Sequence, residues 1–150
     1  MHAGLLLMGC VLAGCGEKVA PPPKEDLVPV SGTVKLGGKP MEGVLVAFIP
    51  AGNTPGQGAT AVTDEDGHYE LIHSASKEPG ASAGQYTVQL SKWVTADGSP
   101  LPPDKPPHMA GGKNLIPDRW ADKMGGAGGG QANQFSVPAG GATLDFDIPE

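Results

Sequence analysis

No window of this chain keeps apolar residues at helical spacing over ten residues; short alternating runs punctuated by turn residues take the place of helices. Val28, Val30, Gly32 and Val34 alternate with polar neighbours, the period of a half-buried strand, until Gly37, Gly38, Lys39 and Pro40 break it. Residues 44–49 are apolar without interruption and end at Pro50, the pattern of a strand covered on both faces. Two runs, ATAVT and HYELI, flank residues 64–67, and GQYTVQLSK alternates again through Tyr86, Val88 and Leu90. NQFSV and ATLDFDI close the chain, separated by Pro138, Ala139, Gly140 and Gly141, with Leu144, Phe146 and Ile148 on one face. The 24 Gly and 16 Pro supply the turns such a chain needs. The pattern predicts an all-β domain of about seven short strands, most simply a Greek-key sandwich. Between Ser91 and Asn133 the alternation lapses, so residues 93–132 read as a long irregular insertion, with one short turn of helix expected in NLIPDRWADK.

The start of the chain predicts export. MHAGLLLMGCVLAGCG is apolar and too short to cross a bilayer as a helix, and small residues precede its second cysteine. Leu12, Ala13, Gly14 and Cys15 resemble a bacterial lipobox. That resemblance implies a signal peptide over residues 1–14 and a lipid on Cys15, which becomes the mature N-terminus. Leu7 to Cys10 repeats the pattern behind a much shorter apolar run, which favours Cys15; no Lys or Arg precedes the apolar run, a departure from the usual leader. The competing reading is a buried N-terminus with a disulfide between Cys10 and Cys15. Residues 15–27 contain three consecutive prolines among charges, a semi-rigid tether that at ~3.1 Å per residue reaches ~40 Å. Residues 28–150 then form the domain. Gly16 stands where, by resemblance to sorting rules, an Asp would retain a lipoprotein in the inner membrane, so the expected place is the cell envelope at the outer membrane. The net charge of −6 has no Lys/Arg cluster to offset it, which argues against a nucleic-acid partner.

The stretch TDEDGHYEL, residues 63–71, is the most chemical-looking. An EF-hand-type loop aligned on Gly67 would need ligands where Val62 and His73 stand, so the ligand set fails. Asp66-Gly67 is instead a strong hairpin signal, with Asp64 bonding its own turn. His68 and His73 lie five apart and so face opposite sides of a straight strand, and His108 sits among prolines as a solvated loop residue. HExxH, GxSxG and Walker spacings do not occur, and the Gly-rich run at 125–130 reads as linker. No cofactor and no metal are expected.

With these residues in view, VSGTVKLGGKPMEGVLVAFIP, TDEDGHYEL and GQYTVQL resemble a carboxypeptidase regulatory-like domain, a transthyretin-like β-sandwich. The matching positions include Gly32, Val34, Gly43, Val46, Thr63, Asp64, Gly67, Tyr69, Gly84, Tyr86 and Val88. Together with the lipobox and LIPDRWAD, the chain is similar to small planctomycete lipoproteins of unassigned function. The resemblance implies a sandwich without the peptidase's zinc site. GGAGGGQAN departs from the family pattern, and the chain ends Asp147-Ile148-Pro149-Glu150 rather than in the tail of transthyretin-like hydrolases. An isopeptide bond, as in related pilin-type sandwiches, would need Lys35, Asp145 or Asp147, and Glu70 inside, whereas alternation places Lys35 and Glu70 outside.

Trp93 and Trp120 bracket the insertion. Either they form a stacking platform for sugars or peptides, or they cap the ends of an aromatic-poor sandwich. Gly84-Gln85-Tyr86 at a strand start resembles a tyrosine corner. The reading is a non-enzymatic, lipid-anchored binding or structural module whose contact surface is the loop 93–131. The partner would be an envelope polysaccharide or protein. The rival is a carbohydrate-binding module using Trp93 and Trp120, or a metal-dependent hydrolase using Asp64, Asp66 and His68.

Overall fold

The computed structural model describes residues 26–102, 104–121 and 133–150. The expected signal peptide (1–14), the expected lipid site Cys15 and nearly all of the expected tether (15–27) lie outside them.

The described chain is all-β. Its early strands are β1 (Leu27–Val28), β2 (Val30–Leu36), β3 (Lys39–Pro40), β4 (Leu45–Ala51), β5 (Ala59–Val62), β6 (His68–Glu70) and β7 (Ile72–His73). The later ones are β8 (Ala81–Ser82), β9 (Gly84–Ser91), β10 (Trp93–Val94), β11 (Lys113–Asn114), β12 (Gln134–Val137), β13 (Ala142–Thr143) and β14 (Phe146–Ile148). The strands of three or more residues, β2, β4, β5, β6, β9, β12 and β14, fall on the segments that the alternating runs and the continuous apolar run 44–49 predict.

Two larger sheets carry the domain. One is antiparallel throughout in the order β12-β9-β4-β5-β7. In the other, β2 is central: β3 and β6 pair with it antiparallel, and β13 and β14 run parallel to its opposite edge. The inward residues of both sheets join one hydrophobic cluster, with Val30, Val34, Tyr69, Phe146 and Ile148 from one and Val46, Phe48, Tyr86, Val88 and Leu90 from the other. Gly32 has to be glycine, because a Cβ there would overlap the Leu144 carbonyl. Tyr86 Oη donates to the Ser82 carbonyl at 2.7 Å, the bond expected of a tyrosine corner.

Three expectations need correction. The apolar run 44–49 is covered on one face only: Val44, Val46 and Phe48 are buried, while Leu45 and Ile49 are exposed. Asp66-Gly67 makes a tight turn but not a hairpin, since β5 pairs with β4 and β7 and β6 pairs with β2. The chain changes sheets there, and buried Thr63 secures the crossing by accepting from Val44 N (2.9 Å) and donating to the Met41 carbonyl (2.6 Å). Finally, the insertion is not irregular from residue 93, because β10 and β11 form a ladder within it. The described part of NLIPDRWADK, residues 114–121, holds one tight turn where a short turn of helix is expected, with Trp120 N donating to the Pro117 carbonyl at 2.9 Å.

Candidate functional site

β9 does not end in open loop. The Lys92 N–H donates to Asn114 Oδ1 (3.0 Å), which also accepts from Ile116 N (3.1 Å), and the Lys92 carbonyl accepts from Leu115 N (2.9 Å). These bonds carry the strand direction on into β10, with Trp93 opposite Asn114 and Val94 opposite Lys113. The chain then folds back: Thr95 N donates to the Ser99 carbonyl (2.9 Å), Gly98 N to the Thr95 carbonyl (2.9 Å), and Val94 bridges Pro100. Gly98 takes φ +86°, which this turn requires. The Thr95 hydroxyl donates to Asp97, and with the backbone and side chain of Ser99 it holds that exposed carboxyl below the usual carboxylate range.

The hairpin walls a cleft of about 290 Å³ lined by Glu42, Lys92, Trp93, Val94, Pro100 and Leu101, among others. Trp93 is 37% exposed there. Lys92 is braced across the cleft by donating from Nζ to the Glu42 carbonyl. A flat ring beside proline and leucine, with one ammonium and one carboxylate at the rim, can stack on an apolar or sugar face and hydrogen-bond its edges. The lining has a single carboxylate, so it holds no acid/base pair of the kind glycoside hydrolysis uses.

Trp120 sits differently from Trp93. Its ring is partly buried against the core, edge-on to Phe146 with centroids 5.7 Å apart. Its backbone carbonyl accepts from Leu90 N at 2.6 Å, tying the turn to β9. The indole Nε1 is buried without a partner among the described residues. The two tryptophans therefore do not share a platform: one ring packs half-buried against the core and the other lines a surface cleft.

The acidic stretch is explained by its own turn. Asp64 Oδ1 accepts from Asp66 N (3.0 Å) and His68 N (2.9 Å), and Gly67 N donates to the Asp64 carbonyl (2.9 Å). Gly67 takes φ +72°, and a Cβ there would lie 2.5 Å from the Val34 carbonyl oxygen. His68, on β6, is exposed, whereas His73, on β7 in the other sheet, is buried with Nδ1 2.9 Å from Ser76 Oγ, so the two do not share one straight strand; His108 is exposed. Among the described residues no group of three or more His, Cys, Asp or Glu is placed to hold a metal ion. Lys35 and Glu70 are exposed, on the polar face where alternation puts them.

Sequence reasoning singled out Trp93 but not Glu42, Lys92, Pro100 or Leu101, which come to it from two separate stretches. The one available signal was Asp97-Gly98 between Val94 and Pro100, a turn signature inside the supposed irregular segment. No family model matches the chain, and neither a curated protein nor a solved structure does.

Proposed function

We propose that this chain is a non-catalytic, lipid-anchored envelope protein whose β domain is a binding module, with the Trp93 cleft as its contact surface. The observation that carries this reading is the division of labour between the tryptophans: Trp93 lines an open cleft on a braced ladder, whereas Trp120 packs on the core. A fold short of aromatics leaves a tryptophan at the surface at a cost that a ligand would offset. The engagement of the Asp64 carboxylate within its own turn supports the non-catalytic reading over a hydrolase built on Asp64, Asp66 and His68.

Within this proposal the sandwich is of the Greek-key, transthyretin-like kind. The parallel pairing of β2 with β14 and the Tyr86–Ser82 bond support that arrangement. Cys15 carries the lipid, residues 15–27 hold the domain off the outer membrane, and the partner is an envelope polysaccharide or protein. A carbohydrate ligand is favoured by the exposed ring beside Lys92 and Glu42, a combination suited to polyols.

Two measurements test the two halves. A palmitate analogue should label the wild-type chain and not Cys15→Ala; labelling that persists in the variant rejects Cys15 as the anchor. Capture of isolated envelope polysaccharide should be lost in Trp93→Ala at unchanged melting temperature. Equal capture by the variant rejects the cleft.

A further inference from the structure

None of the five strands β12, β9, β4, β5 and β7 contains an Asp, Glu, Lys or Arg. The opposite sheet carries Lys35, Lys39, Glu70 and Asp147 within its strands. Register sets which side chains share the outer face of the uncharged sheet. Leu45 lies opposite Val62, Ala47 opposite Thr60 and Gln89, Ile49 opposite Thr87, and Thr60 opposite Ile72. The apolar members stand open to solvent: Leu45 is 42% exposed, Ile49 43%, Val62 64% and Ile72 46%. Depletion of charge with retained aliphatics is the composition of an interface centre rather than of an ordinary sheet surface.

We propose that this outer face docks a second copy of the same chain, the two five-stranded sheets stacking face to face about a two-fold axis. Three observations select that occupant. The run 44–49 has the sequence of a strand covered on both faces, yet the domain's own second layer covers only one, so the missing cover is outside the described domain. Each chain carries a net charge of −6, and an uncharged face is where two such chains can meet without like-charge repulsion, whereas a basic partner would find no counter-charge there. An isologous contact pairs a patch with itself, which suits a central aliphatic stripe bordered by Thr60, Thr87 and Gln89. The size also fits. Strands of four, eight, seven, four and two residues across the sheet give a face of roughly 400 Å² at ~3.4 Å per residue and ~4.8 Å per strand. Two such faces bury roughly 800 Å², the size of a weak, reversible contact.

Sedimentation velocity of the full chain carrying Cys15→Ala, run over a wide concentration range, tests this. The expected result is a dimer that dissociates on dilution. Val62→Asp should raise its dissociation constant roughly a hundred-fold by setting like charges against each other across the axis, with circular dichroism and melting unchanged. Ile72→Lys is the second variant, in case the first perturbs the fold, and Glu70→Lys on the opposite sheet should leave the dimer intact. A monomer at every concentration overturns the proposal. So does association that survives both face variants, or association lost only on deletion of residues 1–14, which would assign it to that segment.

Discussion

Replacing Trp120 with alanine should destabilise the domain without touching the Trp93 cleft. A fully buried tryptophan truncated to alanine costs ~3–5 kcal/mol. Trp120 is only partly buried, which lowers the figure, and its edge-on contact with Phe146 at 5.7 Å adds ~0.5–1.5 kcal/mol of ring pairing to what is lost. Against this, removing an indole N–H that is buried without a partner among the described residues returns about 1 kcal/mol. The net expectation is a loss of about 2 kcal/mol, read as a lower urea midpoint at unchanged m value. Trp120→Phe keeps an edge-on ring and removes the orphaned donor, so it should stay within ~1 kcal/mol of the parent. A double-mutant cycle with Phe146→Leu should return a coupling of ~0.5–1.5 kcal/mol. A Trp120→Ala loss below ~0.5 kcal/mol, the level of an ordinary surface substitution, together with zero coupling, would refute the placement of this ring in the core.

Tyr69 donates from Oη to the Leu144 carbonyl at 2.7 Å, and burial, reinforced by the charge of Asp145, pushes its phenol well above the usual tyrosine value. Because the folded pKa is raised, the native state keeps a proton that the unfolded chain loses. Stability should therefore be flat with respect to this group below about pH 9 and fall by up to ~1.4 kcal/mol per pH unit above about pH 10. Tyr69→Phe should cost ~1 kcal/mol at neutral pH and flatten that alkaline slope, as pH-dependent urea titrations would read; an unchanged slope sinks the assignment. Thr63→Val should cost ~2–3 kcal/mol by orphaning both Val44 N and the Met41 carbonyl, whereas Thr63→Ser recovers most of it; equal loss in the two variants would point to packing rather than the paired bonds. Gly32→Ala should lower the melting temperature by several degrees through overlap with the Leu144 carbonyl, and a neutral result would contradict the close approach of β2 to that segment.

The longer strands were legible because alternation is a local property: Val30, Gly32 and Val34 point inward wherever β2 pairs. Turn chemistry was legible for the same reason, as the Asp64–Asp66–Gly67 geometry depends on neighbours in sequence. What those turns join was not. Thr63 and Leu71 lie where the chain passes between sheets, and that choice depends on partners far along the chain, β2 for β6 and β4 for β5. The run 44–49 says that both faces avoid water without saying what covers them. A ladder of two residues per strand, such as β10 with β11, is too short to carry a period, so the region around Trp93 read as loop. Which tryptophan enters the core was set by the approach of Phe146 to Trp120, a contact between segments with no signature in either.

The assignment of the Trp93 cleft as the contact surface is tested most directly in the Trp120→Phe chain, where Trp93 is the only indole. Its fluorescence would be followed while soluble fragments of envelope polysaccharide are titrated in, with heat of binding measured in parallel. The cleft reading predicts a saturable change in Trp93 emission at the same midpoint as the heat, with both signals lost in the chain that also carries Trp93→Ala. Saturable heat with unchanged Trp93 emission, retained after Trp93→Ala, would place binding elsewhere on the domain and contradict it.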